Sequence, residues 1–175
     1  MTVNQARYSN IAILLHWLIA ALMIYMLFWG EDLIRNDKGT FFPSVHASIG
    51  ITILVLSVLR LVWRMVNPPP ALPGDDHGWQ ACISEWTHWA FYALMIGIPL
   101  TGMADFGRHL VRHSEQAGAT IYGLFPVPQI PFDALGRLHG ISTKLAIGLL
   151  ILHVLGALKH QLWDRDRLIN RMLPH

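Results

Sequence analysis

Residues 137–160 read RLHGISTKLAIGLLILHVLGALKH. The run is apolar and long enough to cross a lipid bilayer, which takes about 20 residues of helix. Yet it carries His139, His153 and His160, at intervals of fourteen and seven residues. A helix advances ~1.5 Å and ~100° per residue, so fourteen residues cover ~21 Å and stop about 40° short of four whole turns. His139 and His153 therefore look out from one face at two depths. Ionisable side chains inside a membrane are costly and mark a function by default, so each imidazole calls for a partner on another helix.

The rest of the chain supplies the setting. Of its 175 residues, 53% are hydrophobic and 14% charged, with a mean hydropathy of +0.40. A soluble domain carries about 25% charged residues, so the class is a membrane protein. Cys82 is the single cysteine, which excludes an intramolecular disulfide, a multi-cysteine iron–sulfur site and a C-x-x-C-H haem attachment. A net charge of +2 makes no case for nucleic acid.

Apolar stretches at roughly 10–29, 44–66 and 84–104 match the one at 138–160. The first is no signal peptide: it is too long, and WGED (29–32) offers no small-residue cleavage site. In lipid each backbone N–H and C=O must be satisfied within its segment, so every span is expected to be a helix. NPPPALPGDD (67–76) and the stretch 105–136, with Gly123, Pro126, Pro128 and Pro131, read as connecting loops. Neither a repeat nor a second domain is visible. The expected fold is all-α, a single four-helix transmembrane bundle over residues 1–175.

Lysine and arginine set the orientation. With both termini on one side, that side holds Arg7, Arg60, Arg64, Lys159, Arg165, Arg167 and Arg171; the other holds Arg35, Lys38, Arg108, Arg112 and Arg137. Seven against five puts both termini in the cytoplasm. His16, early in the first span, then lies towards the inside, and His46, at the head of the second, towards the outside. The fourth span also runs inwards, so His139 is outer and His153 inner. Depth pairs His46 with His139 and His16 with His153.

Bis-histidine haem is the chemistry that uses such pairs. The iron of a b-type haem takes two axial nitrogens on opposite faces of a flat macrocycle, and facing helices of a bundle deliver one each. Two haems are expected, the inner on His16 and His153 and the outer on His46 and His139, forming an electron path across the membrane. A lone membrane histidine can simply hydrogen-bond a neighbouring helix; four that pair by depth carry far more weight.

Other residues join this frame. Arg60 follows His46 by fourteen residues and so reaches the inner level on the same face, to hold a haem propionate or to snorkel to the headgroups. Arg64, one turn on, reads as an anchor. Gly50 and Gly148 would let a haem plane approach the backbone. His88, between Trp86 and Trp89, has no partner left at its depth; it suits a propionate, a quinone or an aromatic belt. His160 continues the helix 4 face at the inner interface, near Trp163 and Arg165, where it would give a proton to a quinone carbonyl or stand solvated. Lys144, a charge five residues below His139, reaches a propionate, a polar pocket or the outer surface.

The chain resembles prokaryotic cytochrome b561 over nearly its whole length. The matching pieces are LLHWLIA at His16, VHASIGITILVLSVLRLVWR at His46, HWAFYALMIGIPLTG at His88, and LHG with LHVLGALKHQLWDRDRLINRMLP at the end. The resemblance implies an inner-membrane protein with two haems on the four paired histidines, His88 not among the ligands. One branch of that family oxidises superoxide outside and reduces ubiquinone, with a histidine matching His160 at the quinone site. Gln161 departs from that branch, which has a second histidine there.

An outer cluster, FGRHLVRHSEQ, places Arg108, His109, Arg112 and His113 within six residues, with Arg35, Lys38 and Arg137 on the same side. It would steer superoxide, against Glu31, Asp32, Asp37, Asp105, Glu115 and Asp133, which offset its field. Two other readings compete with an oxidoreductase using superoxide and ubiquinone. One is a haem b electron-transfer or anchor subunit serving a partner dehydrogenase or a soluble cytochrome. The other is a haem-free scaffold or carrier of protons or metal ions.

Overall fold

The ends of each helix follow from local sequence. The computed structural model describes residues 7–35, 42–70, 78–112, 120–127, 133–164 and 168–173. Helix α1 spans Asn10–Arg35. Ser9 caps it: its Oγ accepts from the Ala12 N–H at 3.3 Å and its carbonyl from the Ile13 N–H at 3.0 Å. Helix α2 spans Phe42–Val66 and stops at Asn67, because Pro68–Pro70 supply no N–H groups to continue it. Helix α3 spans Trp79–Arg112 with Pro99 inside it. Helix α4 spans Asp133–Lys159, runs into a π-helical turn at His160–Asp164, and is followed by a 3-10 turn at Leu168–Met172.

Several helix boundaries differ from expectation: α1 runs on to Arg35 rather than 29. Helix α3 extends beyond 84–104 at both ends, so residues 105–112 are helix rather than loop, and α4 begins at Asp133 rather than 138. Among the described residues, three helical segments are long and apolar enough to cross a membrane: Asn10–Leu33, Val45–Val66 and Leu135–Asp164. Helix α3 has the length, at 34 residues, but Glu85, Trp86, Thr87, His88 and Trp89 dilute its inner half. The bundle of four long helices among the described residues stands.

Packing follows chain order, α1 on α2, α2 on α3 and α3 on α4, while α1 and α4 touch sparsely. The buried centre is Ile19, Met23, Ile53, Tyr92, Met95, Ile98 and Ala146. Ala146 is fully buried and lies midway between His139 and His153, so this core separates the two histidine levels. Large apolar side chains face outwards, among them Leu14, Val55, Leu145 and Leu152, an inside-out pattern that fits a lipid surround.

Two ties close the ends. At one end, the Tyr8 N–H donates to the Arg171 carbonyl at 3.4 Å, Arg7 donates to the carbonyls of Asn170 at 3.0 Å and Leu173 at 3.2 Å, and Trp17 Nε1 to that of Met172 at 2.7 Å. Arg171 is buried; it donates to the Pro70 carbonyl at 3.0 Å and lies 5.7 Å over the Tyr8 ring. The N-terminal segment and the 3-10 turn thus sit at the same end of the bundle.

At the other end, strands β1 (Thr120–Ile121) and β2 (Phe125–Pro126) form a small antiparallel hairpin. Its turn holds Tyr122 at φ 52 and Gly123 at φ 72, a conformation easy for glycine and costing about 1 kcal/mol or more for tyrosine. Attachment to α2 holds Tyr122 there: its N–H donates to Ser48 Oγ at 2.8 Å and its hydroxyl shares a hydrogen bond with Thr52 Oγ1.

Candidate functional site

All four helices contribute to an outer layer. The rings of His46 on α2 and His139 on α4 face each other with centroids 6.2 Å apart. His46 Nδ1 lies 3.0 Å from the Gly30 carbonyl on α1, and His139 Nδ1 lies 2.9 Å from the Ile98 carbonyl on α3. A carbonyl only accepts, so each Nδ1 carries the proton and Nε2 is the unprotonated ring nitrogen.

Glycines make these contacts possible. A Cβ on Gly30 would stand 3.2 Å from His46 Cε1, and one on Gly102 would stand 2.9 Å from His139 Cε1. Each imidazole therefore rests on a neighbouring helix where the side chain is missing. A cavity of about 690 Å³, counting its open mouth, surrounds the pair. Its walls include Met23, Ile53, Gly50, Thr143 and the hairpin residues Ile121 and Val127.

The inner layer is built differently. His16 on α1 and His153 on α4 have centroids 6.5 Å apart, and His88 on α3 comes to 6.0 Å from His153. His16 Nδ1 and, on the adjoining face of α2, Ser57 Oγ are buried without a hydrogen-bond partner among the described residues. Arg60 is an electrostatic neighbour of all three imidazoles. Its guanidinium lies 5.8 Å from the Tyr92 ring centre, and that of Arg64 lies 5.9 Å from both Tyr92 and Trp89. Arg64 is thus packed against α3 and is more than a headgroup anchor.

The donor set tests what this arrangement can hold. Two imidazoles ligating one metal ion from opposite sides, each at about 2 Å, put their centroids roughly 6 Å apart. The outer and inner pairs, at 6.2 and 6.5 Å, meet that spacing. Among the described residues, no group of three or more His, Cys, Asp or Glu is placed to hold a metal ion, so a zinc-like tetrahedral site made of protein alone has too few ligands. A haem brings its own four equatorial nitrogens and asks for two axial ones. Each pair fits that request, and the outer pair opens onto the cavity lined by Gly50, Ile53 and Thr143.

The structure sets His16 near His153 and His46 near His139, as the spacing expects, with Arg60 close to the first pair. Gly50 lines the outer cavity with nothing near its missing side chain. Gly148 is exposed and lies across α4 from the histidine face, so it opens no path to a haem plane. Gly30, Gly102 and the Ile98 carbonyl were missed; no spacing within one helix shows which residue of a neighbour lies opposite. Lys144 is exposed on the outer face of α4, turned away from the paired rings. His160 stands in the π turn with Nδ1 3.2 Å from Asp164 Oδ2. The side chains of Arg108, His109 and Arg112, and all of His113, lie outside the described residues.

Comparison with known proteins gives a consistent answer. Residues 7–175 match the family model described as prokaryotic cytochrome b561. The chain is 30% identical over 184 residues to cytochrome b561 homolog 2 of Escherichia coli (strain K12), covering 98% of this chain and 94% of that one. It is 26% identical to the probable superoxide oxidase CybB of Yersinia pestis, over 96% of each chain, and 25% identical to cytochrome b562 of Cereibacter sphaeroides, over 97% of each.

Proposed function

The chain belongs to the prokaryotic cytochrome b561 family of membrane electron-transfer proteins that bind haem b, and from that premise we propose a superoxide:ubiquinone oxidoreductase of the bacterial inner membrane. Its two haems are held by His46 with His139 and by His16 with His153, with both termini in the cytoplasm. Two superoxide anions leave as dioxygen and give up two electrons. One ubiquinone takes both electrons and two protons and becomes quinol. Bound haem supplies the one-electron relay between the two surfaces.

The protein's own groups do the rest. The Gly30 and Ile98 carbonyls aim the outer imidazoles by holding their Nδ1 protons. Arg60 and Arg64 offer guanidinium groups to propionate carboxylates at the inner level. Ile53, Met95 and Ala146 keep water out of the middle, so charge crosses as electrons while protons stay on their own side. His160 presents a proton to the quinone at the inner end. Arg137 and the other outer cations steer the superoxide anion.

The facing of the histidines in two layers carries this reading. Two b haems per chain in a pyridine haemochrome assay are expected, followed by superoxide-driven quinone reduction by the purified protein. His160→Ala is expected to keep its haem and lose quinone reduction. A chain that takes up no haem under ample supply overturns the whole reading; an active His160→Ala protein overturns the quinone site.

A second reading has one observation behind it. Lys144 sits on the exposed face of α4, eleven residues from the helix start, where lipid makes a charge costly. An electron-transfer subunit whose partner brings a carboxylate to that depth would use it. A stable stoichiometric partner recovered from native membranes and lost with Lys144→Leu, together with silence towards superoxide, favours that reading.

A further inference from the structure

The outward side of α4 carries two cations without a counter-charge. Arg137 and Lys144 are both exposed. Seven residues apart, they stand on one face of the helix, within about 20° of each other and ~10 Å apart along the axis. That face is opposite His139 and His153. Neither side chain makes a hydrogen bond or an ion pair among the described residues, and the sequence holds no carboxylate between Asp133 and Asp164. Leu138, Ile141 and Leu145 around them are exposed and apolar, as a lipid surround demands. Two uncompensated charges in that setting are costly and call for an anion.

Helix geometry says where the anion sits. Side chains on a helix lean towards its N-terminus, which for α4 is the outer end, so Lys144 rises past the residue one turn before it. That residue is Gly140, where an added Cβ would meet nothing within 4 Å, and the lysine stem lies along this bare stretch. Lys144 starts six residues, ~9 Å, below Leu138 at the head of the apolar stretch, and snorkelling recovers much of that depth. Arg137 stands just above the same head. Ammonium and guanidinium thus flank the level of the lipid phosphates. We propose that this face binds one anionic glycerophospholipid of the outer leaflet, with its phosphate between Lys144 and Arg137 and an acyl chain along Leu145, Gly148 and Leu152. The planar guanidinium takes two phosphate oxygens, and the ammonium adds a point charge. A zwitterionic headgroup brings its own cation and fits the pair less well. The leaflet follows from the topology proposed above; the donor and quinone assignments play no part.

The test uses the full haem-loaded protein in detergent, stripped of co-purifying lipid and titrated with phosphatidylglycerol or with chain-matched phosphatidylcholine. Bound lipids are counted by native mass spectrometry. The first phosphatidylglycerol is expected to bind about fivefold or more tightly than phosphatidylcholine, the worth of one basic residue at a lipid surface. Lys144→Leu is expected to bring the two lipids to parity with haem content unchanged, and Lys144→Arg to keep most of the preference. An excess of inorganic phosphate is expected to leave the preference intact. Equal binding of both lipids by the wild type, a preference that survives Lys144→Leu, or one abolished by inorganic phosphate overturns the inference. So does recovery from native membranes of a stoichiometric protein partner that Lys144→Leu releases, which assigns the lysine to that partner's carboxylate. The haem and quinone readings stand under each of these outcomes.

Discussion

The two histidine layers use the same residue type in opposite ways. In the outer layer both Nδ1 protons are tied to helix carbonyls, both rings rest on glycines, and a hairpin strapped to α2 walls the cavity. Backbone fixes everything there. In the inner layer three imidazoles share the space, His16 Nδ1 lacks a partner among the described residues, and two arginines lie over aromatic rings. Charge and stacking dominate instead. The outer layer is built to fix geometry, the inner one to set electrostatics.

Breaking a ligand pair gives the largest effect. His139→Ala is expected to lower haem content from two per chain to one while the inner haem's spectrum persists, and His153→Ala to do the reverse. Loss of both haems from either variant would show that the layers do not load independently. Next come the glycines. Gly102→Ala puts a Cβ at 2.9 Å from His139, Gly30→Ala one at 3.2 Å from His46. The first is expected to deplete or distort the outer haem more than the second, read as altered low-spin electron paramagnetic resonance of that haem alone. Gly148→Ala meets nothing and serves as the neutral control.

Arg60→Gln probes the inner layer. Reduction adds an electron, which a nearby cation favours, so its removal lowers the inner midpoint by about 1 kcal/mol, ~40 mV for one electron. Potentiometric titration reads this, with the outer midpoint nearly fixed. The smallest effect is expected of Tyr122→Phe, which loses the exposed hydroxyl bond to Thr52, worth about 0.5–1 kcal/mol. Faster amide exchange confined to residues 120–127 would report it.

What sequence revealed divides along the same line. Within one helix, spacing fixes face and depth, so the four histidines, Arg60 and the span positions were legible. Relations between helices were not. That Gly102 backs His139, or that His88 approaches His153, depends on how α3 is rotated against α4, and no residue of either helix encodes that alone. Gly148 shows the limit from the other side: it lies between His139 and His153 in sequence but across the helix from them. Residues 105–112 carry charges and Gly107 and so read as loop, yet α3 continues through them because polar side chains beyond the membrane cost a helix nothing. The π turn left no mark in the sequence, because its signal is a backbone register rather than a composition.

The tie between the chain ends has a consequence for assembly. Its hydrogen bonds join residues 163 and 166 positions apart, Arg7 to Asn170 and Leu173, and contacts so distant form late because loop closure must come first. The seam it closes, between α1 and α4, has little contact of its own. During synthesis that seam stays loose until residues 168–173 have followed all four helices into place. A flat, rigid guest can slide in edgewise before then; afterwards, the same latch keeps it from leaving.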